Sequence, residues 1–233
     1  MEITEVPSPN HGPRRAVMAP DMVVIHYTGM ATAGAALERL CAPEAEVSAH
    51  WLIDEDGRVF RLVDEARRAW HAGVGAWGAV RDVNSHSVGV ELANPGPEGG
   101  LPPYPEAQMA ALEALLVRIK LRWGIPAERV LGHSDVAVGR KVDPGPRFDW
   151  GRLVRRGLAA GSDAEGAADP ADPAALAGPA RAAGYHWADP GALAAALQLR
   201  LAPEEAGGAP SGRLLARVAD LAARHPVSDG RMP

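Results

Sequence analysis

Two histidines and an aspartate stand out for their chemistry. His26 closes the apolar run Val23-Val24-Ile25 and precedes the polar turn Tyr27-Thr28-Gly29. His133 lies in LGHSD, and Asp143 follows ten positions later in the Gly- and Pro-rich stretch GRKVDPGPRFDW. Two imidazoles and a carboxylate from separate segments form a donor set that catalytic zinc favours, with a fourth position left for water. Each residue also has a plainer reading. A histidine at a strand end is commonly a satisfied structural residue, and aspartate before proline is ordinary turn chemistry. Spacing alone leaves both readings standing.

The elements that would position these residues follow from patterning. Residues 22–28 (MVVIHYT) read as a buried strand. Residues 51–53 and 58–63 flank Asp56-Gly57, a strong hairpin signal. In residues 87–93 (SVGVELA), Val88, Val90 and Leu92 alternate with Gly89 and Glu91, which places Glu91 on the face opposite the apolar side chains. Met109, Leu112, Leu116, Ile119 and Trp123 recur at helical spacing, with Pro105 expected at the first helical position and Gly124 at the end. A short strand at 129–132 then leads to His133. Strands interleaved with helices predict an α/β fold with a mixed central sheet flanked by helices.

Composition changes near residue 158. The division expected is 1–157 as the catalytic domain, 158–172 as an Ala/Gly/Asp/Pro-rich flexible linker making few contacts, and 173–233 as a small helical module dispensable for chemistry. In that last part Asp189 and Ser211 read as helix starts, Leu193, Leu197 and Leu201 and then Leu214, Val218 and Leu221 as apolar faces, and Pro179 as a break in its first helix.

Several function classes are excluded. A formal charge of −5 without a Lys/Arg cluster argues against a nucleic-acid partner. The one cysteine, Cys41, rules out an intramolecular disulfide and a cysteine-based zinc knuckle, and is read as a buried thiol on an apolar helix face. No apolar stretch reaches the length of a membrane span. The start MEITEVPSPNHGP shows no basic-then-apolar export pattern, so a cytoplasmic monomer is expected, with a periplasmic location as the alternative.

The motifs VVIHYTGM, SAHWLIDEDGRVFRLVDEARRAWHAGVGAWG, SVGVELANPG and VLGHSDVAVGRKVDPGPRFDW occur in this order between about residues 3 and 150. Together they resemble the N-acetylmuramoyl-L-alanine amidase family of the AmpD/AmiD type, whose fold is shared by peptidoglycan-recognition proteins. The resemblance implies Zn2+ held by His26, His133 and Asp143. It makes Glu91 the catalytic glutamate and Lys141 the basic residue at the carbonyl oxygen. It implies muropeptides as substrate, cut between N-acetylmuramic acid and L-alanine. Val138 departs from the family pattern, which has proline there. Trp70, His71 and Trp77 are read as a loop along the substrate groove, with an aromatic core cluster as the rival reading for the two tryptophans. Asn84 is read as a contact to the peptide stem. His50 and His86 are assigned to folding. The tail resembles, more weakly, a peptidoglycan-binding three-helix module. A non-catalytic binder of the same fold and a zinc peptidase acting within the stem peptide are the alternatives.

Overall fold

The computed structural model describes residues 2–227. The β-branched run at Val23 forms the middle of strand β3 (Met22–Tyr27). This strand lies between β7 (Ser87–Leu92) and β8 (Val130–Gly132), parallel to both. Outward from β7 come β4 (Trp51–Ile53), β5 (Val59–Arg61) and β1 (Ile3–Glu5), giving the order β1-β5-β4-β7-β3-β8. Of these pairs, β4 and β5 alone run antiparallel, joined by the turn at Gly57, whose φ of 87° suits glycine. A second, two-stranded sheet pairs β2 (His11–Pro13) with β6 (Arg67–Ala69). The mixed sheet expected from the sequence is the one observed.

Helices α1 (Ala33–Cys41), α2 (Val83–His86), α3 (Glu106–Trp123), α4 (His133–Val136) and α5 (Trp150–Arg155) accompany the sheet. One sheet face presents Val23, Ile25, Val88, Val90 and Leu92 to Met109, Leu112, Leu116 and Ile119 of α3. Gly124 ends α3 in the left-handed region at φ 68°, as expected, whereas Pro105 is its N-cap with extended backbone rather than its first helical residue. Cys41 ends α1, half-buried, with its thiol 3.7 Å from the Val6 carbonyl.

The tail holds α6 (Ala177–Ala182), α7 (Pro190–Leu201) and α8 (Gly212–Arg224). The Asp189 and Ser211 side chains cap α7 and α8 by accepting from Ala192 N and Leu214 N. Pro179 sits in the first turn of α6, where its missing N–H breaks no helical bond, so it does not interrupt that helix. The expectation of few contacts across the 158–172 stretch is corrected. Leu176, Leu193, Leu197, Leu214 and Val218 share one apolar cluster with Met22, Val24, Leu131 and Val136, and Leu158, Ala159 and Ala160 are buried. Polar bonds lock the contact. Tyr185 Oη donates to Asp135 Oδ1 at 2.8 Å, and Arg200 donates to the Val130 and Ala160 carbonyls at 3.2 and 2.7 Å. The Arg200 guanidinium also lies 3.6 Å from the centre of the Trp150 ring. Alanine- and leucine-rich helices have nowhere else to hide their apolar faces, and the second face of the sheet supplies that place.

Candidate metal centre

Parallel pairing places His26 of β3 opposite Glu91 of β7, so both side chains leave the sheet on the same side, away from α3. His133 is the first residue past β8 and opens α4. The chain then turns, with Lys141 N bonded to the Ala137 carbonyl and Ser134 N to the Asp143 carbonyl, and brings Asp143 back beside His133.

The result is a triangle. His26 Nδ1 lies 3.0 Å from His133 Nδ1, and each of these nitrogens lies 3.0 Å from Asp143 Oδ2. All three side chains are buried. Burial, then the neighbouring His133, pushes the His26 imidazolium down to about 4. Burial opposes charge on Asp143, but the adjoining His133 and His26 rings outweigh it and hold the carboxyl well below the usual range. The neutral His26 imidazole and the ionised Asp143 carboxylate need lose no proton before taking a cation. Three donor atoms at this mutual spacing fit a tetrahedral ion with bonds of about 2.0–2.1 Å, and the N/O donor set suits zinc.

The triangle forms the floor of a cleft of about 420 Å³, also lined by Tyr27, Met30, Leu40, Trp70, Glu91 and Lys141. Glu91 Oε2 is shielded from solvent and has no hydrogen-bond partner among the described residues. Burial, then Asp143, pushes its carboxyl well above the usual range, with Lys141 acting the other way. Such a carboxylate is poised to take and return a proton. Exposed Lys141 carries its charge on the cleft wall.

The softer candidates divide. Trp70 and His71 line the cleft. Trp77 does not: it is 3% exposed and stands edge-on to Tyr185 of the tail at 4.9 Å, so the core reading replaces the groove reading. Asn84 is buried too, and its Oδ1 accepts from His71 N and Ala72 N at 3.1 and 2.8 Å rather than facing the cleft. His50 is wholly buried, accepting from Gly89 N at 2.9 Å, while His86 pairs with Asp21 at the surface. Sequence reasoning missed Arg140, which donates to the Ala72 and Val74 carbonyls at the cleft edge. Its place in the motif AVGRK beside Lys141 was the available signal.

Residues 16–146 match the family described as N-acetylmuramoyl-L-alanine amidase. The amidase AmiD of Escherichia coli strain K12 is 36% identical over 156 residues, covering 62% of this chain and 55% of AmiD, so the match spans about half of that relative's length. The 1,6-anhydro-N-acetylmuramyl-L-alanine amidase AmpD of Enterobacter cloacae is 34% identical over 171 residues, covering 66% of this chain and 89% of AmpD. Among solved structures, Escherichia coli AmiD in complex with anhydro-N-acetylmuramic acid-L-Ala-D-gamma-Glu-L-Lys is similar at a TM-score of 0.82 and 29% identity, covering 92% of this chain and 95% of that one. AmpDh3 of Pseudomonas aeruginosa in complex with anhydromuramic pentapeptide gives 0.76 at 30% identity, covering 89% and 92%.

Proposed function

Since the chain belongs to the N-acetylmuramoyl-L-alanine amidase family, we propose that it hydrolyses the amide joining N-acetylmuramic acid to L-alanine in muropeptides, with zinc held by His26, His133 and Asp143. The observation that carries this reading is the 3.0 Å triangle of donor atoms beside a cleft-lining glutamate with an unpartnered oxygen. Zinc, when bound, supplies Lewis acidity for an unreactive amide and a poor nucleophile. Glu91 accepts the proton of the attacking water and delivers it to the departing amine of L-alanine. Lys141 faces the carbonyl oxygen as negative charge develops there. Trp70, on the cleft wall, offers an apolar surface to the sugar.

A defined muropeptide incubated with the zinc-loaded protein tests the reaction by mass spectrometry. Release of intact stem peptide with a free L-alanine amine is expected. Cleavage inside the stem would assign a peptidase, and unchanged muropeptide a binding protein. The ligand set is tested separately: His133→Ala should abolish both stoichiometric zinc and turnover, and a variant that keeps its zinc in elemental analysis would break the assignment.

The preferred substrates in this reading are small anhydro-muropeptides rather than intact wall, because the solved relatives with a bound ligand hold such fragments. The place of action follows from the substrate, the cytoplasm in preference to the periplasm. Fractionation, with rates compared on anhydro-muropeptide and on purified sacculi, tests both. Among the described residues no helix is long and apolar enough to cross a membrane. The segments 1–157, 158–172 and 173–233 are retained as stretches of one folded unit, with the tail offered as a wall-fragment-binding module. Monomeric behaviour is part of the same proposal, tested by light scattering.

A further inference from the structure

We infer that His71 is a positioning residue of the metal centre: it fixes the tautomer of His26 so that the nitrogen turned to the cation carries a lone pair. The inference rests on the ligand assignment above and goes beyond it.

The direction of every bond follows from one carbonyl. The Val83 carbonyl can only accept, so Ser87 Oγ, 2.6 Å away, spends its single proton there. Ser87 Oγ must then accept from its other neighbour, His71 Nε2, at 3.2 Å. That places the His71 proton on Nε2 and leaves Nδ1 bare. His26 Nε2, 3.0 Å from His71 Nδ1, must therefore be the donor. With its proton on Nε2, His26 presents a bare Nδ1 to the triangle. The polarity set at Val83 reaches the cation through three side chains.

The surroundings are built for this ring. Ser87, Gly89 and Glu91 share one face of β7, and the His71 imidazole lies against Gly89: a Cβ there would fall 2.5 Å from two ring atoms. Asn84 Oδ1 holds the backbone of both His71 and Ala72. The Ala72 carbonyl accepts in turn from His133 Nε2 at 2.9 Å, which leaves that ring's Nδ1 bare as well. Two adjacent residues of one loop thus orient both imidazole ligands, one by a side chain and one by a carbonyl. Partners of this kind raise ligand basicity and hold the ring in place.

Two measurements test the role without relying on turnover. In the first, zinc affinity is read by competition with a chelator. His71→Phe keeps a ring but removes the acceptor, and is expected to weaken zinc by roughly 10–100-fold. His71→Gln returns an acceptor oxygen and should recover most of that loss. Equal affinity in native protein and His71→Phe, or equal loss in both variants, overturns the inference. In the second, nitrogen-15 NMR of the histidine rings reads the tautomers in the native protein, with or without metal. Protons on Nε2 of both His71 and His26 are expected, and a proton on His71 Nδ1 overturns the inference even where His71→Phe fails to fold. A native protein that binds no zinc breaks the ligand assignment instead, and leaves the tautomers to decide the hydrogen-bond chain.

Discussion

The two faces of strands β3 and β7 use the same backbone for different ends. On one, Val23, Ile25, Val88, Val90 and Leu92 are all buried against α3 and carry no polar atom beyond the main chain. On the other, the register pairs run Met22 with Ser87, Val24 with Gly89 and His26 with Glu91. That face passes within three steps from apolar packing to a hydroxyl, an imidazole floor and a reactive carboxylate. An alternation of two sets a wholly apolar face one residue away from a face that carries both tail packing and chemistry. The chemical face holds an unpartnered carboxylate oxygen that the packing face would never tolerate.

Variants can break this comparison. On the chemical face, Glu91→Gln should keep one zinc and lower turnover by roughly 10²–10⁴-fold, the usual worth of acid–base catalysis. Loss of zinc in that variant, or near-native turnover, would erase the distinction. On the packing face, Ile25→Ala should cost about 2–5 kcal/mol in denaturant unfolding through the cavity it opens. Its turnover per folded molecule should stay close to native, and a loss like that of Glu91→Gln would mean the faces are not separable.

A finer test uses pH. Burial raises the Glu91 carboxyl above its ordinary 4.5, so the folded chain binds this proton more tightly than the unfolded chain. Stability from this group is therefore complete at low pH and is lost as pH rises through the raised value. Metal-free Glu91→Gln should unfold at higher denaturant than native protein at pH 8, by about 1–3 kcal/mol, the cost of a buried unsatisfied group. The gap should close toward pH 4. A variant less stable than native at pH 8 would mean that Glu91 is satisfied by partners.

The smallest effect concerns the packing at the rim. Trp70→Ala should raise KM on muropeptide several-fold, with kcat and zinc content unchanged, since Trp70 lines the cleft and is not one of the three residues of the triangle. A fall in kcat with constant KM would assign Trp70 to the reacting bond.

Much of this was legible in the sequence because periodicity and turn chemistry act locally. The apolar alternation of 87–93, the helical spacing from Met109 to Trp123 and the Asp56-Gly57 turn each state their own geometry. The motifs around His26, His133 and Asp143 marked the triangle. Partnership across the chain was not legible. Leu193, Leu197, Leu214 and Val218 announce apolar helix faces, but nothing in their spacing says that Met22 and Leu131 lie opposite. Trp77 read as a groove residue because its partner, Tyr185, lies 108 positions away. Arg200 and Tyr185, polar residues in an Ala- and Leu-rich tail, were the overlooked sign that the tail docks. Gly89, a glycine inside a strand, was the sign that another group approaches the backbone there.

Asp135 stands two residues past His133, and its carboxylate accepts from Gly132 N at 2.7 Å and from Tyr185 Oη, with Arg200 Nη1 3.5 Å away. The turn that carries His133 of the triangle is thus also the seat of the tail. Two equilibria, ion uptake and helix docking, share one short segment, and linkage between them is reciprocal. By whatever factor the docked tail tightens the hold on the cation, the cation tightens the hold on the tail. A bound cation and a docked tail are then expected to support each other through that one turn.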